Sequence, residues 1–217
     1  MPEQLNLTYQ RLRAPRAAAV AGILFAALFS CSLVLIRLAV PADPTEGGQW
    51  LGARAGSVSL ALSLVPFAGI AFLWFMGVIR DRIGSAEDQF LSTVFVGSGL
   101  LFLALTFVSA GLAGGVLGAY AEEPNSLIAS GVYAFVRAAT FRITNVYQVK
   151  MAGVLMLSLS TIWVRTRVLP RWLAFLTHAL ALGMLLGIAS SLWVTLIFPA
   201  WVCAVSVYFL LYPGRSF

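Results

Sequence analysis

Five polar side chains collect in the stretch VYAFVRAATFRITNVYQVK, residues 132–150, beside a long apolar run: Arg137, Arg142, Asn145, Gln148 and Lys150. Guanidinium, ammonium and amide groups at membrane depth are costly, so they mark a functional site by default. The chemistry open to them is binding. An anionic or polar ligand would be met by charge-assisted hydrogen bonds from the cations and neutral ones from the amides. The plainer alternative is anchoring, in which cations near the end of a span fix its depth and meet lipid headgroups. Both readings stand on sequence alone.

His178 is the single histidine, and its ordinary pKa makes it the natural titrating group of the chain. No Asp or Glu lies inside any apolar run, so a proton relay has no evident partner. A neutral imidazole bonded to a neighbouring helix is expected instead. Catalytic constellations are missing: there is no HExxH, no GxSxG and no phosphate-cradling glycine loop. No enzyme activity, cofactor or metal site is therefore expected. Cys31 and Cys203 each lie within apolar runs, without the closely spaced Cys or His that zinc needs, and read as small apolar core residues.

The elements that must position these groups follow from composition. Of 217 residues, 60% are hydrophobic and 10% charged, against about 25% charged in a soluble domain. A polar surface cannot be built from so few charges, and bilayer lipid is the fitting solvent. The formal charge of +6 is explained by cations flanking apolar runs, with no basic stripe for nucleic acid.

Apolar runs at 17–36, 57–79, 90–110, 145–164, 172–189 and 192–211 predict an all-α membrane bundle of about six transmembrane helices. Residues 1–16 form a cytoplasmic N-terminal segment before one transmembrane domain, 17–217. The first run exceeds the roughly 7–15 residues of a signal-peptide core and reads as an uncleaved span. Pro41, Asp43, Pro44 and Glu46 suit an exterior loop. Pro66 should kink the second span, with Ser59 or Ser63 satisfying the freed carbonyl, and Pro199 interrupts the sixth. Gly84 suits a helix C-cap, and Ser85 with Asp88 suits a capping box. Ser190 and Ser191 alone separate the last two spans. With six spans, nine cations fall on the side of the termini and five on the other, which makes the terminal side cytoplasmic.

Residues 126–144 do not read as a seventh span. Arg137 would lie near its centre at a cost of about 2.5–3.5 kcal/mol. At 100° per residue, Ile128, Val132, Phe135, Val136, Ala139, Ile143 and Val146 share one face, opposite Ser130, Arg137, Arg142, Asn145 and Gln148. An amphipathic helix is expected, lying at the outer interface or closing the bundle mouth with its polar face on a cavity. Lys150 would snorkel upward or pair with Glu122 or Glu123. GxxxG spacings at Gly111–Gly115, Gly114–Gly118 and Gly183–Gly187 suggest close helix packing, and the run AGLAGGVLG could unwind as in carriers.

The segment GVIRDRIGSAEDQFLSTVFVGSGLLFLAL, Gly77 to Leu105, resembles uncharacterised multi-span bacterial inner-membrane proteins. The resemblance implies that membrane and no activity or residue role. Two functions are expected from the sequence. The leading one is a non-enzymatic accessory or assembly partner, docking other membrane proteins through small-residue seams and anchored by membrane lipids. The second is a carrier or binding protein with an exterior-facing pocket around Arg137, Asn145 and Gln148.

Overall fold

The computed structural model describes residues 2–41, 48, 50–83, 89–166, 170–187 and 192–211, with backbone alone at 2–18, 81–83 and 192. The expected loop at Pro44, the cap at Gly84, Ser85 and Asp88, and the Ser190–Ser191 link lie outside these residues. All regular elements among the described residues are helical. They are α1 (Pro2–Ala39), α2 (Trp50–Ile83), α3 (Gln89–Glu122), α4 (Pro124–Ala129) and α5 (Val132–Arg142), then a π-helical turn (Ile143–Gln148). After it come α6 (Val149–Thr166), α7 (Arg171–Leu186), a 3₁₀ turn (Leu192–Leu196) and α8 (Ile197–Leu211).

Five helical stretches are long and apolar enough to cross a membrane: Ala19–Ala39, Trp50–Arg80, Gln89–Glu122, Val132–Thr166 and Trp193–Leu211. The α7 helix is apolar but shorter, and its 16 residues rise about 24 Å against a hydrocarbon core of about 30 Å. Four long helices overrun the bilayer. The 34 residues of α3, for example, rise about 51 Å. The glycine-rich run 110–118 lies within α3 and is helical throughout, which decides against the alternative that it unwinds.

Residues 126–144 are not a separate amphipathic element. The chain turns at Gly131, whose φ of 74° is the left-handed conformation that a Cβ disfavours. From Val132 it then runs without a break through the π turn into the span of α6. Alanine at Gly131 should cost about 1 kcal/mol of stability, measured by thermal unfolding in detergent. No loss would mean that the turn relaxes to another conformation.

The π turn has a geometric cause. Thr140, Thr144, Gln148, Ala152 and Met156 recur every four residues. Thr140 and Thr144 line a cavity, and the other three are buried. Four such steps on a 3.6-residue helix accumulate about 160° of drift. The wider π turn absorbs much of it, so the stripe keeps facing inward.

Phenylalanines weld the bundle at mid-depth. The ring of Phe102 on α3 lies 4.7 Å from Phe198 on α8, 5.2 Å from Phe72 on α2, and 5.8 Å from Phe29 on α1. Close crossings fall at Gly22 against Ser206 and Phe75, Gly99 against Met76, and Gly153 against Leu185 and the Ala181 carbonyl. The glycines singled out by GxxxG spacing do not make such seams. Among the described residues, a side chain at Gly111, Gly115, Gly118 or Gly183 would meet nothing within 4 Å. Hydropathy cannot tell a glycine facing a helix from one facing lipid.

Pro199 stands inside the helical stretch of the sixth run, Trp193–Leu211, as expected, in the first turn of α8 and just after the 3₁₀ turn that leads into it. Two further expectations change. At Pro66 the helix runs on, and Ser63 donates to the Leu60 carbonyl at 2.7 Å rather than to the freed carbonyl of Leu62. One residue before it, the Ala61 carbonyl accepts from buried Ser32 of α1 at 2.8 Å, which ties α1 to α2 near the proline. Cys31 is exposed and Cys203 half-buried, so neither is a core residue.

Candidate ligand cavity

The end of the bundle at the α1 C-terminus, the α2 N-terminus and the α3 C-terminus encloses a cavity of about 840 Å³. Most of its wall is apolar, with Phe29, Leu33, Val58, Leu62 and Val65 among the lining residues. The volume lies within the range of about 300–1,000 Å³ usual for small-molecule sites. The α1–α2 pair forms one wall. On the other, α5 packs along α3, and the two walls are held apart below a small roof. That roof is a separate apolar cluster of Leu51, Leu127 and Tyr133, with Trp50, Val116, Leu117 and Tyr120 packed on it.

The chain from α5 through the π turn carries a ladder of polar contacts across this cavity. At the top, Trp50 Nε1 donates to Tyr133 Oη at 2.8 Å. Next, Arg137 Nη2 donates to the Pro41 carbonyl at 2.8 Å, holding the chain just past α1. Arg54 steadies the same place, donating to the carbonyls of Leu38 and Ala39 at 2.9 and 3.1 Å. That satisfies the C-terminal carbonyls of α1 and complements their partial negative charge. Lower down, Arg37 Nη2 stands 3.5 Å from Asn145 Oδ1, and Asn145 Nδ2 donates to the Phe141 carbonyl at 2.9 Å. Ser109 and Thr144 share a 2.8 Å hydroxyl contact, and at the floor Gln148 Nε2 donates to Thr106 Oγ1 at 2.8 Å. From Arg137 to Gln148 the ladder descends about 16 Å by helical rise.

Of the residues expected to form a site, four line this cavity: Arg137, Arg142, Asn145 and Gln148. Asn145 and Gln148 are buried, Arg137 is half-buried and Arg142 exposed at the rim. Lys150 does not join them, since it is exposed on α6 and absent from the cavity wall. At 100° per residue it stands about 200° round the helix from Gln148, so nearness in sequence did not mean a shared direction. Part of the apolar stripe faces outward, with Phe135 at 73% and Val132 at 49% exposure, while Val136 of the same stripe lines the cavity.

Arg37 is the residue that sequence reasoning undervalued, counting it only toward the charge balance of the loops. Its position near the end of an apolar run gave no sign that it meets Asn145, 108 residues away. Ser32, Thr106, Ser109 and Thr144 were missed as well, being single hydroxyls in apolar surroundings. His178 lies elsewhere, with Nδ1 2.9 Å from Ser160 Oγ on the adjacent helix α6. Ser160 Oγ also contacts the Leu157 carbonyl at 2.9 Å. If its one proton goes there, Nδ1–H is the donor to Ser160. Compared with known protein families, with curated proteins and with solved structures, the chain matches none.

Proposed function

We propose that this chain is a non-enzymatic membrane protein that binds, and in one version carries, a small molecule in the cavity between α1, α2, α3 and α5. The observation that supports this reading is the cavity itself. A preformed, mostly apolar space of about 840 Å³ edged by Arg37, Arg137 and Arg142 is more than helix anchoring requires. The charged side chains among the described lining residues are these three guanidiniums. That arrangement concentrates anions. The reading reverses the order of the two expectations from sequence, in which an accessory partner came first. The open GxxxG glycines stay available to a helix of another chain, which keeps the partner reading as the second one.

In this proposal the bundle crosses the bacterial inner membrane six times, α7 serving as a short fifth crossing, with both termini cytoplasmic. The cavity then opens toward the exterior. Lipids surround the outward apolar face of α5, and the stretch 132–150 both anchors and binds.

Native mass spectrometry of the protein, extracted gently from its own membrane, tests the reading. One retained non-protein molecule is expected in the wild type. It should be lost in the double variant Arg137→Ala/Gln148→Ala, which should still insert and stay monodisperse. A stoichiometric second polypeptide, with no small molecule, would return the accessory-subunit reading to first place.

A further inference from the structure

The charge lining the cavity falls away with depth in the same sense as in one leaflet of a bilayer, since its charged side chains are Arg37, Arg137 and Arg142 near the α1 C-terminus. Arg142 and Arg165 lie 23 residues apart on the α5–α6 chain, about 34 Å by helical rise, close to the hydrocarbon thickness of about 30 Å. Both are exposed. Arg142 therefore marks one headgroup level. From α1, Arg37 reaches nearly the same level, since its Nη2 stands 3.5 Å from Asn145 Oδ1, three residues or about 4–5 Å below Arg142. Below them no charged side chain among the described residues lines the cavity: the α1–α2 wall is mostly apolar, and on the facing side the amides of Asn145 and Gln148 are already hydrogen-bonded within the protein. Phe29 lies eight residues before Arg37, about 12 Å deeper, and Val65 joins it in the lining.

The cavity is also open sideways. Ala134, Ala138 and Phe141 follow one edge of α5, line the cavity and are nevertheless exposed. That edge runs beside the α1 end and its two bridges, Arg137 to Pro41 and Arg37 to Asn145. A molecule already dissolved in the bilayer could enter there without crossing the roof closed by Trp50 and Tyr133.

From these features we infer that the cavity takes a single-chain acidic amphiphile. Its phosphate or carboxylate head sits at the level of Arg37 and Arg142, and its hydrocarbon chain descends toward Phe29 and Val65. This rests on the binding function proposed above and narrows it. Guanidinium is the side chain best matched to a carboxylate or phosphate fork, and its attraction is strengthened where low-dielectric walls exclude water. An apolar wall below the cations would be left unfilled by a small hydrophilic anion. A single chain is favoured over two because the space is no larger than an ordinary small-molecule site.

The test uses the full chain, stripped of lipid in an uncharged detergent, with four probes: hexadecyl phosphate, hexadecanoate, hexadecanol and inorganic phosphate. Thermal shift gives affinity and native mass spectrometry gives stoichiometry. One copy of an acidic amphiphile should bind, at least about tenfold tighter than hexadecanol, and inorganic phosphate should not protect. The stronger of the two acidic probes identifies the head. Arg142→Gln should weaken acidic binding by about tenfold, roughly the loss of one charge-assisted contact, and leave hexadecanol unaffected. Ala113→Trp, which fills the cavity from α3, should abolish binding of both, whereas Lys150→Gln should change nothing. Hexadecanol binding as tightly as the acids, or an indifferent Arg142→Gln, would overturn the acidic head. Protection by inorganic phosphate alone would overturn the amphiphile while sparing the cavity's binding role. If no probe binds but a native molecule is retained on extraction, this inference falls and the binding function stands. If nothing binds and nothing is retained, both fall.

Discussion

Replacing Phe102 by alanine is expected to destabilise the bundle by about 3 kcal/mol, the low end of the range for Phe→Ala in cores. The low end applies because of the solvent. Unfolding within a bilayer returns the ring to lipid rather than to water, so most of the loss is packing and little is hydrophobic transfer. The packing at stake is large. Phe102 is 2% exposed, and its ring contacts Phe198, Phe72 and Phe29 from three other helices at 4.7, 5.2 and 5.8 Å. Because Phe29 also lines the cavity, the void left by Phe102→Ala should soften the cavity floor. Phe102→Leu should recover most of the stability. Unfolding titrated with a denaturing detergent reads the effect, and a Phe102→Ala variant within 0.5 kcal/mol of wild type would contradict a mid-bundle weld.

The second large effect is expected at Gly22. A side chain there would collide with Ser206 Oγ on α8 and with the Phe75 ring on α2, so α1 touches two helices at one residue. Gly22→Val should cost about 3 kcal/mol, the upper part of the usual overpacking range. Ser206 is fully buried, and its hydroxyl has no hydrogen-bond partner among the described residues. It stands where a Cβ on Gly22 would be, so the missing side chain is what lets α1 and α8 approach here. Ser206→Ala alone should therefore be nearly neutral. Combined with Gly22→Ala it should recover part of the alanine penalty, since one of two obstructions has gone. A double-mutant cycle in the same unfolding assay measures the coupling. Strict additivity would mean that α1 and α8 do not meet at this point.

Much of the fold is legible in the sequence because membrane insertion reads the same quantity as a hydropathy scan. The first three apolar runs fall wholly inside α1, α2 and α3, the fifth runs past the end of α7 at Leu186, and the cation that closes α6, Arg165, sits in its last turn. Legibility ends where a helix leaves the hydrocarbon. Past Ala110 the run AGLAGGVLGAYAE looks broken because glycine is a poor helix former in water. Yet α3 continues, supported by α4, α5 and the apolar cluster at Leu117 and Tyr120. The polar face of 132–148 was likewise visible in the periodicity, but not which way it turned. A stripe of seven apolar residues would face inward in water, whereas in lipid part of it turns outward, and a wheel diagram cannot choose the solvent. Arg37 shows a different limit. Its partner Asn145 comes from another helix, and nothing local in either segment encodes that meeting.

The π turn at Ile143–Gln148 has a consequence for how this chain can change by descent. Loss of one codon there would leave an uninterrupted reading frame and restore an ordinary α-helix. Everything on its N-terminal side would be wound round by about 100° relative to α6. Tyr133, Arg137 and Thr140 would then swing off the cavity together, while α6 kept its seat in the core. The orientation of a whole wall is thus stored in a single extra residue. Among chains descended from the same ancestor, the length of this segment should resist insertion and deletion more strongly than the identities of the residues that fill it.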